Sequence, residues 1–214
     1  MTDSAIVLSD VSKTFGDEYV LRNISVCFET GKIHGIIGRN GSGKSMLFKV
    51  ICGIVSVTSG TVTVNGQHIG SDVDFPNDVG LLINEPGFLP YLNAYQNLKI
   101  FADIRGKIGP KQIQDAIQMV GLGHTGKKRV GKFSMGMRQR LGIAQAIMED
   151  PKLLILDEPM SGLDTQGVND IRNLLKALKD QGKTILLSSH YMEDIEFLCD
   201  TVHHMDKGYI SRRE

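Results

Sequence analysis

Few cysteines, no net charge and no long apolar run exclude several classes of protein before any motif is read. Cys27, Cys52 and Cys199 are odd in number and scattered, each in an apolar stretch. That spacing argues against a disulfide framework and predicts reduced, buried thiols without a catalytic or metal role. With 24 basic and 24 acidic side chains the formal charge is zero, so nothing draws the chain to nucleic acid or to an acidic membrane. No segment approaches the ~18 uncharged apolar residues of a membrane-spanning helix. Met1-Thr2-Asp3-Ser4 lacks the basic-then-apolar opening of a secretory signal. Internal repeats, low-complexity tracts and linkers are missing too. What remains is ordinary for a soluble protein: 41% hydrophobic and 22% charged over 214 residues, enough for one good core or a core carrying a smaller insertion.

The most informative segment is Gly38-Arg39-Asn40-Gly41-Ser42-Gly43-Lys44-Ser45, a complete G-x-x-x-x-G-K-S loop. Its glycines let the backbone curl so that successive N–H groups point inward at a polyphosphate. Lys44 supplies a charge for the β/γ-phosphates, and the Ser45 hydroxyl can ligate Mg²⁺. Lys32–Ile37 reads as a buried strand entering the loop. The run Ser45-Met46-Leu47-Phe48-Lys49-Val50-Ile51 reads as a helix leaving it, whose first turn, Met46 included, adds its dipole to the anion site. A nucleoside triphosphate ligand follows. The second chemical segment is Leu153-Leu154-Ile155-Leu156-Asp157-Glu158, a hydrophobic strand ending in two carboxylates. Beside a phosphate loop the first can hold Mg²⁺ and the second can orient or deprotonate a water.

Around these segments the patterning predicts strands at Ala5–Val11, Tyr19–Phe28, Gly60–Val64 (a hairpin turning at Asn65-Gly66), Val79–Ile83, Thr184–Ser188 and Thr201–Met205. Helices are predicted over Ala94–Ile104, Gln112–Val120, Arg138–Met148 (closed by Pro151), Val168–Leu178 and Met192–Cys199. The expected fold is an α/β protein: a parallel core over 1–84 and 152–214 with an antiparallel β portion at the front, and a helical insertion over 85–151. Three further patterns carry no chemistry. The G-x-G-x-x-G at Gly121–Gly126 follows a helix rather than a strand, so it reads as a helix C-cap and loop. Lys127-Lys128-Arg129 reads as a solvated loop. His203 and His204 alternate across a strand and cannot chelate one metal together. No Asn-Lys-x-Asp segment is present to read guanine.

Phe133-Ser134-Met135-Gly136-Met137-Arg138-Gln139-Arg140-Leu141 resembles the signature segment of ABC transporter nucleotide-binding subunits, Leu-Ser-Gly-Gly-Gln followed by a basic helix. Ser134, Gly136, Arg138, Gln139 and Arg140 match it, while Phe133, Met135 and Met137 depart from it. The family's other motifs follow in order across the whole chain. Ser161-Gly162-Leu163-Asp164 resembles the D-loop, His190 the switch histidine that contacts the γ-phosphate, and Phe15 the aromatic residue that stacks on adenine. Asn84, followed by Glu85-Pro86, stands where the family usually has a glutamine reaching Mg²⁺ and the attacking water. Some exporters of antibiotic or bacteriocin-like peptides are similar in carrying a residue other than glutamine here.

The resemblance implies a P-loop NTPase (RecA-like) core that binds ATP and Mg²⁺. It implies Asp157 as the metal carboxylate, Glu158 as the catalytic base, and a head-to-tail dimer. Each ATP would lie between one phosphate loop and the other subunit's Ser134 and Gly136. Separate membrane permease subunits are implied as partners, with the chain on the cytoplasmic face and no nucleic acid involved. Homodimer or heterodimer, import or export, and Asn84 or Glu85 in the glutamine's role stay open. Two other classes compete: a soluble ABC-type ATPase acting on DNA repair or translation, and a nucleotide-sensing clamp with little turnover. The first usually brings coiled coils, duplicate domains or basic patches, none of which this sequence has. The second is favoured by Asn84 and disfavoured by the intact Asp157-Glu158 pair.

Overall fold

The computed structural model describes residues 4–84 and 87–212. The chain begins with two long antiparallel strands, β1 (Ser4–Phe15) and β2 (Glu18–Glu29). On β2, Ile24 and Phe28 are buried while Ser25 and Cys27 face out, the alternation of a sheet with one wet face. The expected burial of Cys27 is therefore corrected. Its strand position puts it on the exposed face, where its thiol lies 2.8 Å from the Ser4 hydroxyl. Strand β3 (Ile33–Ile37) is wholly buried and runs into the glycine loop and α1 (Lys44–Ile51). The hairpin of β4 (Ser59–Val64) and β5 (Gln67–His68) turns at Asn65-Gly66 and completes a four-stranded sheet in the order β2-β1-β4-β5.

Then come β6 (Val79–Leu82), the helices α2 (Ala94–Arg105), α3 (Pro110–Met119) and α4 (Met135–Ile147), and β7 (Leu153–Leu156). They are followed by α5 (Thr165–Asp180), β8 (Thr184–Ser189), α6 (Met192–Leu198), β9 (Thr201–Asp206) and β10 (Tyr209–Arg212). The second sheet has the order β10-β9-β3-β8-β7-β6, all parallel except β10. Its central strands have no wet face. Leu154, Leu156, Ile185 and Leu187 pack toward the helices α2–α6, and Leu153, Ile155, Leu186 and Ile36 pack toward α1 and the antiparallel sheet. The continuous apolar runs at β3, β7 and β8 follow from this two-sided burial. At α5, Ile171, Leu175 and Leu178 are buried and Val168 and Leu174 pack beside them, as the 3.6-residue period predicts. Among the described residues no helix is long and apolar enough to cross a membrane.

Candidate active site

The parallel register places the chemical residues at one edge. Ile37 pairs with Ser189, Leu156 with Leu187 and Leu82 with Leu156. The residues that follow these strands (Gly38, His190, Glu158 and Asn84) therefore emerge together at the carboxyl ends, where open α/β sheets bind ligands. At Gly38 an added Cβ would lie 2.3 Å from the Met205 carbonyl oxygen, and Gly43 has φ +111°, so the loop needs glycine at both positions. Lys44 is 5% exposed and donates to the Gly38 and Arg39 carbonyls at 2.7 and 3.3 Å, which draws its ammonium along the inside of the loop.

Ser45 and Asp157 meet directly, the hydroxyl donating to Oδ2 at 2.5 Å. The other Asp157 oxygen accepts from the fully buried Ser188 hydroxyl at 2.5 Å, and Ser188 Oγ accepts the Glu158 N–H at 2.9 Å. One serine hydroxyl thus orients the Asp157 carboxylate by donating and holds the Glu158 backbone by accepting. Glu158 adopts φ +48°, a left-handed conformation that costs a non-glycine residue about 1–3 kcal/mol. Gln139 Nε2, reaching across from α4, donates to its carbonyl at 2.9 Å and helps hold it there. The Glu158 carboxylate consequently lies between two cationic or proton-bearing groups: Lys44 Nζ at 3.8 Å and His190 Nδ1 at 3.2 Å.

The signature segment sits beside this cluster. Ser134 caps α4 through its hydroxyl, which accepts the Met137 N–H at 3.2 Å, a contact generally worth about 1 kcal/mol. A Cβ on Gly136 would lie 2.8 Å from the Gly162 carbonyl oxygen, and one on Gly162 would lie 2.8 Å from Met135 Cγ. The two segments pack closely at these glycines, Gly136 against the Gly162 backbone and Gly162 against the Met135 side chain. Asp164 caps α5 by accepting the Gly167 N–H at 2.8 Å. Ser134, Met135, Gly162 and Asp164 are all exposed, so the pair of segments forms one open surface. Phe15 is also exposed, with Lys13 Nζ 4.8 Å from its ring centroid. Arg39, Asn40 and Gly41 lie on the open side of the loop, Ser42 is buried within it, and Met46 is half-buried on α1. Asn84 is exposed with φ +60°. Glu85, the alternative to it, lies outside the described residues. His203 is buried and His204 exposed, as alternation requires.

Lys44, Ser45, Asp157, Glu158 and His190 are thus brought together. Sequence reasoning missed Ser188, Ser189 (whose hydroxyl donates to Asp194 behind the His190 turn) and the contact that Gln139 makes with Glu158. The only sequence signal for the serines was two hydroxyls closing an otherwise apolar strand, and for Gln139 there was none beyond its place in the signature helix.

Residues 21–161 match the family described as ABC transporter. The chain is similar to the Uncharacterized ABC transporter ATP-binding protein YybJ of Bacillus subtilis (strain 168), with 41% identity over 98% of this chain and 96% of that protein. It is also similar to the Bacitracin transport ATP-binding protein BcrA of Enterococcus faecalis, with 38% identity over 96% of this chain and 67% of the relative. Its fold is shared by the dimeric structure of MJ0796, a bacterial ABC transporter cassette, with a TM-score of 0.88, 24% identity and coverage of 98% and 97% of the two chains. The chain belongs to the ABC transporter family and is its ATP-binding, ATP-hydrolysing subunit.

Proposed function

We propose that this chain hydrolyses ATP at the edge formed by Gly38–Ser45, Asp157, Glu158 and His190, and that it does so in a dimer coupled to membrane permease subunits that export an antibiotic-type peptide. The observation that carries the site is the convergence on Glu158: Lys44 at 3.8 Å, His190 at 3.2 Å, and Asp157 joined to Ser45. The loop N–H groups and Lys44 hold the β- and γ-phosphates, and Phe15 offers its exposed ring to adenine. Ser45 and Asp157 present two hard oxygen donors in contact, which fits Mg²⁺, an ion held by one or two protein oxygens together with substrate phosphates. Bound there, Mg²⁺ would neutralise charge on the β- and γ-phosphates. Glu158 accepts the proton of the attacking water at its carboxylate. His190, on the far side of that carboxylate, contacts the γ-phosphate and orients the base.

Ser134 and the Gly136 N–H, on the exposed surface beside Asp164, serve the nucleotide of the other subunit. The dimer draws support from the family and from the open signature surface, and the peptide substrate from the BcrA likeness together with Asn84. The chain's place is the cytoplasmic face of the membrane beside its permease. Lys44→Ala tests the phosphate loop, since it removes the ammonium drawn along the inside of that loop. Loss of tight ATP binding and of turnover is expected. Unchanged hydrolysis would overturn the assignment.

A further inference from the structure

The turn that carries His190 is held from behind by a buried polar network. Asp194, on the first turn of α6, is 3% exposed. Its Oδ1 accepts from Arg172 Nε and Nη2 on α5 at 3.0 and 2.5 Å, and its Oδ2 accepts the Ser189 hydroxyl at 3.0 Å. Ser189 Oγ in turn accepts the Tyr191 N–H at 3.0 Å. One hydroxyl therefore ties down the residues on both sides of His190 and fastens them to α5. The Phe197 ring lies 5.2 Å from the Arg172 guanidinium.

A buried ion pair gives little net stability over an apolar pair of the same size, so stability alone is a weak reason for this one. Position is a better reason. His190 and Tyr191 are both exposed, and their rings meet each other at 4.0 Å. Side-chain packing on a core cannot fix an imidazole in that setting, so its location depends on the backbone of residues 189–191. Helix α6 adds little restraint of its own. It has 7 residues, and its N-cap, Tyr191, makes no side-chain capping bond.

We propose that Arg172, Asp194 and Ser189 are positioning residues for His190, setting the imidazole at the distance from Glu158 that hydrolysis requires. The inference rests on the reading of His190 as a residue of the catalytic edge. Ser189→Ala leaves the Arg172–Asp194 ion pair in place and removes only its link to the His190 turn, so it is the mild variant. Asp194→Asn is the stronger one. Both are measured by single-turnover ATP hydrolysis with the full chain in excess, alone and combined with His190→Ala, beside thermal melting of each variant. A misplacement near 1 Å can cost about 10²-fold, so each single variant should lower the hydrolysis rate about 10- to 100-fold. The protein concentration that gives half the maximal rate should stay within about twofold, because no binding group is removed. In the His190→Ala background neither should slow the reaction further. Wild-type hydrolysis in Ser189→Ala, or a further loss in the His190→Ala background, would overturn the positioning role. Wild-type hydrolysis in His190→Ala alone would instead overturn the reading of His190, an outcome visible without the other variants.

Discussion

Glu158 and Asn84 both sit in left-handed backbone at the ends of adjacent strands, each two residues past the last paired position. For Glu158 the strain is matched by bonds from Ser188 and Gln139 and by the ammonium and imidazole beside its carboxylate. Asn84 has a different significance. Asparagine tolerates left-handed backbone better than most residues, but its amide is one methylene shorter than glutamine's and falls short by roughly 1.5 Å. Restoring glutamine costs about 1–2 kcal/mol of backbone strain. The positioning gained corresponds to as much as 10²-fold in rate, or about 2.7 kcal/mol, and so outweighs the strain. Asn84→Gln is therefore expected to raise Mg²⁺-dependent ATP turnover, and Glu85→Ala to change it little. A fall in turnover with Glu85→Ala and none of the expected rise with Asn84→Gln assigns the contact to Glu85. No change in either means that this segment does not reach the site.

Elements were legible in the sequence where burial leaves a strong pattern. Leu153–Leu156 was read to the residue because a strand covered on both faces is continuously apolar and stops at its carboxylates. The strand Tyr209–Arg212 went unread: four mostly exposed residues after a turn carry no alternation, and pairing with β9 alone makes them a strand. Helix α4 begins at Met135, ahead of the predicted Arg138, because the Ser134 cap sets its start rather than the apolar period. Of the site, Lys44, Ser45, Asp157 and Glu158 were readable from spacing. The roles of Ser188 and Gln139 come only from contacts between β7, β8 and α4. Strands β3 and β9 also hide a pH response. His34 and His203 each make an edge contact with the Phe28 ring, with centroids at 5.2 Å. Burial pushes His203 down to about 4, with the charges of His34 and Arg212 adding to it, and burial lowers His34 as well. A folded value below the unfolded one, about 6.5, means that the neutral imidazole is the form the fold accepts. This contribution is complete above about pH 6.5 and is lost as pH falls toward about 4. The melting temperature should drop between pH 7 and pH 5, and His203→Leu should flatten that drop. An equally steep profile in the variant would place the titration elsewhere.

At the scale of the whole molecule, the exposed Ser134–Gly136 and Gly162–Asp164 surface has a chemical counterpart in the glycine loop. A helix N-terminus with free N–H groups stabilises an anion, and α4 presents such an end outward beside its serine cap. In the proposed dimer, a second copy brought head to tail would set that end against the γ-phosphate at Lys44, so nucleotide charge would favour the closed pair and hydrolysis its opening. Binding and turnover then depend on different groups of the same edge. Glu158→Gln separates them: it keeps the shape of the side chain and removes its ability to take a proton. The general base contributes about 10²–10⁴-fold, so hydrolysis should fall by that range while ATP binding persists. Without hydrolysis the closed pair would reopen only slowly, and ATP should shift the variant from monomer to dimer in size-exclusion chromatography, whereas the parent chain should dimerise only transiently. The ion pair with Lys44 is removed as well, and its 3.8 Å length and partly exposed partner make that loss small beside the catalytic one. A variant that stays monomeric in ATP and turns over at the parent rate contradicts both the role of Glu158 and the closure it is meant to trap.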